Sequence, residues 1–121
     1  MSASILIVDD NLSITTSTKK ILELEGYNVS VAFNFQECLD RLKYKKFDLI
    51  LLDIMLPDGS GRDLQREILK LNPHQKIIFF SAIPPSQDML ELQRKTGVNV
   101  NISKPFTKAT LLDAVKKALE S

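Results

Sequence analysis

Three short runs, Ile5-Leu6-Ile7-Val8, Leu49-Ile50-Leu51-Leu52 and Ile77-Ile78-Phe79-Phe80, are apolar at every position. A strand with one wet face alternates apolar and polar residues, so an uninterrupted apolar run belongs to a strand covered on both sides. Looser β-type runs around Val29-Ser30-Val31 and from Val98 to Ile102 bring the set to five. Each run is followed by a window of helical length: about Leu12 to Glu25, Phe35 to Lys45, Ser60 to Leu71, Gln87 to Lys95 and Lys108 to Leu119. This strict alternation predicts an α/β fold, a doubly wound five-stranded parallel sheet with five helices distributed over both faces. In such sheets right-handed crossovers leave few topologies, and ligands bind beyond the carboxyl ends of the strands.

Local punctuation agrees with the windows. Asn34 followed by Glu37 reads as a capping-box-like helix start, Ser86 and Thr107 as N-caps, and Gly26 and Gly97 as C′ glycines. In the last window Leu111, Leu112, Val115 and Leu119 recur at helical spacing and leave Lys116, Lys117 and Glu120 for water. A chain of 121 residues that is 44% hydrophobic is expected to form one domain over residues 1–121.

Charge and cysteine content narrow the function classes. Sixteen basic against 15 acidic residues leave a formal charge of +1, so no net field draws in nucleic acid or an anionic membrane. Lys43-Tyr44-Lys45-Lys46 reads as a solvated helix end rather than a nucleic-acid patch, and His74 as a solvated turn residue. The single cysteine, Cys38, forms no internal disulfide and reads as an inert buried thiol. No apolar stretch approaches the roughly 20 residues that span a bilayer, and the first four residues lack the shape of a signal peptide. The expectation is a soluble, cytoplasmic protein without membrane contact.

The chemistry collects at the strand ends. The first strand runs directly into Asp9-Asp10, the third into Asp53, the fourth into Ser81 and the fifth into Lys104. Carboxylates crowded in a partly desolvated hollow repel one another and raise a pKa unless a cation joins them. Three hard-oxygen ligands suit Mg²⁺, with Mn²⁺ as a substitute, rather than zinc.

Four stretches, VDD at Val8 to Asp10, LLDIMLPDGSG at Leu51 to Gly61, FFSA at Phe79 to Ala82 and KPF at Lys104 to Phe106, make the chain resemble the receiver domain of two-component response regulators, in its stand-alone chemotaxis or phosphorelay form. The resemblance implies a flavodoxin-like strand order of 2-1-3-4-5. It implies that Asp53 accepts a phosphoryl group from a phosphohistidine on a sensor histidine kinase. Asp10, Asp53 and the backbone carbonyl of Met55 would ligate Mg²⁺, Asp9 would act mainly through metal-bound water, and Ser81 and Lys104 would contact the phosphoryl oxygens. It implies a signalling protein rather than an enzyme. Such a protein either changes shape toward a downstream protein target or hands its phosphoryl group to a histidine phosphotransfer protein, and it is a monomer with scope to dimerise on phosphorylation. Two rivals fit less well. A haloacid-dehalogenase-like phosphatase needs an acid two residues after its nucleophile, where Met55 stands, and an FMN module needs a phosphate cradle where Asp9-Asp10 would repel phosphate.

The sequence also departs from the family pattern. Asn101 stands three residues before the lysine, where an aromatic or His is usual, so no aromatic flip is available. Met55 and Ile83 flank the position of the attacking water and cannot orient it, which implies slow self-dephosphorylation. Pro84-Pro85 stiffens the loop after the fourth strand. Thr18 falls on the apolar stripe of Ile14, Ile21 and Leu22, with its hydroxyl expected to bond back to the Ile14 carbonyl. Lys104-Pro105 is a candidate cis peptide.

Overall fold

Backbone hydrogen bonding turns the apolar runs into a sheet whose central strands are buried on both faces. In the computed structural model, residues 2–81, 86–96 and 101–120 are described, with backbone alone at positions 81, 89, 92, 93, 95 and 96. The strands are β1 (Ser4–Val8), β2 (Asn28–Ala32), β3 (Leu49–Leu52), the two-residue pieces β4 (Met55–Leu56) and β5 (Gly59–Ser60), β6 (Ile77–Ser81) and β7 (Asn101–Ser103). The helices are α1 (Leu12–Leu24), α2 (Phe35–Tyr44), α3 (Gly61–Leu71), α4 (Gln87–Thr96) and α5 (Lys108–Glu120). The main sheet has the order β2-β1-β3-β6-β7, every neighbouring pair parallel, while β4 and β5 form a separate antiparallel ribbon. With the ribbon set aside, this is the expected 2-1-3-4-5 order. The last strand is described from Asn101 onward; residues 97–100, with the Gly97 cap and the start of the expected run at Val98, lie outside the described residues, as do Ile83, Pro84 and Pro85.

Side chains along each central strand alternate between two cores, as a pleated strand requires. Ile5, Ile7, Leu49, Leu51, Ile78 and Phe80 point to one face and pack with Leu22 of α1 and Leu111, Ala114, Val115 and Ala118 of α5. Leu6, Val8, Ile50, Leu52 and Phe79 point to the other and pack with Cys38 of α2 and Leu64 and Ile68 of α3. Burial without a polar partner pushes the Cys38 thiol up to about 12, so it stays protonated and unreactive at neutral pH.

Helix ends are set by single residues. Asn11 caps α1 by accepting from Ile14 N, and the helix closes in a Schellman motif: Tyr27 N donates to Leu22 O and Gly26 N to Glu23 O. Gly26 takes φ +91 there, a conformation in which a Cβ is strained although open space surrounds it. Asn34 Oδ1 accepts from Glu37 N, and the Glu37 carboxylate reaches back to Phe33 N, one residue beyond the expected box. Thr107 Oγ1 accepts from Thr110 N at the start of α5, and the carbonyl of Ser86 accepts from Leu90 N in α4. The Lys104–Pro105 peptide is cis.

Thr18 corrects one expectation. Its side chain is fully buried, but its hydroxyl has no hydrogen-bond partner; the back-bond in this helix is made by Thr15, whose hydroxyl donates to Leu12 O at 3.0 Å. A buried hydroxyl without a partner forfeits its hydration for nothing in return. Thr18→Val, which keeps the shape and removes the orphan, is therefore expected to raise unfolding stability by about 1 kcal/mol in chemical denaturation; a loss of stability would show that the hydroxyl is satisfied.

Candidate functional site

The register of β1 with its two neighbours, β2 and β3, brings the acidic residues together. Val8 lies opposite Leu52, so the residues after them emerge side by side, and the ladder continues one step past each strand: Asp53 N donates to Val8 O at 2.9 Å and Asp9 N to Ala32 O at 3.1 Å. Both carboxylates are then held by the same local device, an Asx turn. Asp9 Oδ1 accepts from Asn11 N at 2.9 Å and Asp53 Oδ1 from Met55 N at 3.2 Å. Each turn commits one oxygen and leaves the other, Oδ2, facing the hollow.

Lys104 meets those two remaining oxygens. Its Nζ lies 2.5 Å from Asp9 Oδ2 and 3.6 Å from Asp53 Oδ2, and 4.7 Å from the centroid of the Phe80 ring. Its side chain is 15% exposed, against 1% for Asp9 and 12% for Asp53. With so little water present, these charges interact far more strongly than a surface pair would. Asp10 is exposed at the rim, yet one oxygen from each of Asp9, Asp10 and Asp53 falls within 4.8 Å of the others.

Three carboxylates and one ammonium leave a formal deficit of two positive charges when all are ionised (−3 + 1 = −2). Burial pushes the Asp53 carboxyl above the ordinary carboxylate range, the Met55 amide and Lys104 pull it back, and Asp9 pushes it up again. An all-oxygen hollow short of two positive charges fits a hard divalent cation such as Mg²⁺.

The sequence-level candidates divide cleanly. Asp9, Asp10, Asp53 and Lys104 converge as expected. Ser81 ends β6 paired with Ser103, next to the strand that delivers Lys104, and its side chain lies outside the described residues. The Met55 side chain is exposed, and its amide is committed to Asp53. Two residues were not anticipated. Gly61 donates its N–H to Ile54 O at 2.6 Å, and a Cβ placed on it would sit 2.1 Å from the Asp53 carbonyl, so only glycine lets α3 start this close to the site. Asp58 accepts from Phe35 N at 2.7 Å and Gln36 N at 3.2 Å, spanning the first turn of α2. Pro57-Asp58-Gly59 signalled a turn, but nothing local to it signalled a bond to a helix more than 20 residues earlier.

Known proteins place this geometry. The response regulator receiver domain family matches residues 5–116. The chemotaxis protein CheY of Thermotoga maritima is 34% identical over 118 residues, covering 97% of this chain and 98% of that protein. Sporulation initiation phosphotransferase F of Bacillus subtilis is 30% identical over 119 residues, covering 98% and 95%. The crystal structure of a CheY-like receiver domain protein from Methanospirillum hungatei superposes with a TM-score of 0.86 at 37% identity, over 99% of this chain and 95% of that one. With the acidic hollow at the ends of β1 and β3 and the lysine after β7, the chain belongs to the response regulator receiver domain family.

Proposed function

We propose that this chain acts as the receiver domain of a cytoplasmic response regulator, in which Asp53 takes a phosphoryl group from a phosphohistidine of a sensor histidine kinase and the modified domain then binds a downstream protein. The observation that carries the reading is the convergence of Asp9, Asp10 and Lys104 on Asp53, whose carboxyl burial pushes above the ordinary carboxylate range. Receiver domains are signalling proteins that bind Mg²⁺ at an acidic site, and this chain has the acidic cluster for it.

In the proposed reaction a free Asp53 oxygen attacks phosphorus, the phosphorus–nitrogen bond to the histidine breaks, and the imidazole leaves with the bonding pair. Asp10, Asp53 and the Met55 carbonyl would hold Mg²⁺, with Asp9 reaching it through water. The bound cation supplies charge neutralisation for the phosphoryl oxygens. Lys104, within 3.6 Å of Asp53 before reaction, is placed to leave Asp9 and meet a new phosphoryl oxygen, and Ser81 meets another. Asp9, kept in its Asx turn by Asn11, would hold the ammonium in readiness.

A second reading is favoured by one relative. The Bacillus subtilis protein is named a phosphotransferase, and a chain of this kind would pass its phosphoryl group onward to a histidine phosphotransfer protein instead of acting as a terminal output. A mixing experiment separates the two: phosphorylated protein added to such a partner either transfers its label or forms a stable complex.

Incubation with acetyl phosphate and MgCl₂ is expected to add the mass of one phosphoryl group, mapped by peptide mass spectrometry to residue 53. The adduct should be absent from Asp53→Asn and from samples with chelator, and should form about 100-fold more slowly in Lys104→Ala. An adduct elsewhere, or one that forms without metal, contradicts the assignment. Because Met55 and Ile83 cannot hydrogen-bond a water, the phosphorylated form should be long-lived. The double variant Met55→Asn, Ile83→Glu should lose phosphate faster than wild type, and an equal rate would refute this explanation.

A further inference from the structure

We propose that Asp58 is a positioning residue for this site: by tying the tip of the β4–β5 ribbon to the first turn of α2, it fixes the backbone that follows Asp53 and so sets divalent-cation affinity without touching the cation. The proposal rests on the reading of Asp53 and its neighbours given above. It starts from how little holds the ribbon. Each of its strands is two residues long, with Met55 opposite Ser60 and Leu56 opposite Gly59, and Pro57-Asp58 makes the turn. A two-stranded ribbon of this length does not hold its shape in water unaided. Yet it carries Met55, whose N–H fixes Asp53 Oδ1 and whose carbonyl is the proposed backbone ligand.

The ribbon is anchored at both ends. At its base, Gly61 N donates to Ile54 O, with the start of α3 pressed against the Asp53 carbonyl. At its tip, Asp58 spends one oxygen on Phe35 N and the other on Gln36 N. These are, among the described residues, the tip's only hydrogen bonds to the rest of the chain. Gly59 lies flush on the Phe35 ring, where an added Cβ would be 2.7 Å from Phe35 Cδ2. A carboxylate is the appropriate group for this anchor, because the helix N-terminus offers unpaired N–H donors and partial positive charge.

The arrangement does more than cap a helix. Asn34 already caps α2 in the usual way, taking Glu37 N on its side chain and Cys38 N on its carbonyl. Asn34 and Asp58 thus share the first-turn donors, but only Asp58 belongs to the segment that leads back to Asp53. Removing either should loosen α2; removing Asp58 alone should also free the ribbon.

That difference is the test. Mg²⁺ binding is measured by isothermal titration calorimetry, and unfolding by thermal circular dichroism, for wild type, Asp58→Ala, Asp58→Asn and Asn34→Ala. Both alanine variants are expected to melt below wild type. Only Asp58→Ala is expected to bind Mg²⁺ more weakly, by about tenfold, the size seen when residues behind metal ligands are removed. Asp58→Asn, which loses the same charge but keeps an acceptor, should recover most of the affinity, which separates the tie from simple attraction of the cation. Wild-type affinity in Asp58→Ala, or equal weakening in Asn34→Ala, overturns the proposal while leaving the receiver reading intact. Absence of Mg²⁺ binding in wild type overturns both.

Discussion

Like charges held close together inside a partly dry hollow are the constraint on which the rest of this molecule turns. Asp9, Asp10 and Asp53 offer oxygens within 4.8 Å of one another, and a single ammonium, from Lys104, stands against them. Nothing in the apolar core needs this arrangement. Two strands hydrogen-bonded in register and two Asx turns hold the carboxylates where repulsion would otherwise part them. Packing of the sheet on both faces provides the rigidity that makes this tolerable, since Ile5 to Val8 of β1 and all of β3 are buried. The resulting deficit of positive charge is what a divalent cation and a transferring phosphoryl group exploit in turn.

Much of this was legible in the sequence, and the reason is physical. Uninterrupted apolar runs could only be strands with both faces covered, and the parallel sheet followed from that, with its strand ends as the site. Asp9, Asp53 and Lys104 could be read because each is the residue just after a strand, a position that periodicity fixes. The features that escaped depend on distances between segments far apart in the chain. Asp58 looks like any turn residue until α2 is placed beside it, and the need for Gly61 arises only from the nearby Asp53 carbonyl. Thr18 failed in the other direction: its expected bond to Ile14 was a local rule, and in the packed helix Thr15 makes the back-bond instead.

Asn101 is where the sequence led us to expect a departure from the family pattern. It pairs with Phe79 at the edge of the sheet, and its Oδ1 is buried without a hydrogen-bond partner among the described residues. An amide there cannot perform the rotation of an aromatic ring. It presents instead an unmet acceptor, a group whose environment costs free energy until a donor reaches it.

The central claim is that the hollow stores electrostatic tension that a divalent cation relieves. Thermal unfolding of wild type and Asp53→Asn, each with and without MgCl₂ at neutral pH, tests it most directly. Asparagine keeps the Asx turn but removes the buried charge, so without metal Asp53→Asn should melt above wild type. Added Mg²⁺ should then raise wild type by several degrees and the variant by much less, in line with the roughly 2.7 kcal/mol that a ligand confers at 100 times its Kd. A wild-type midpoint indifferent to Mg²⁺, or an Asp53→Asn variant that melts lower in its absence, would contradict the account.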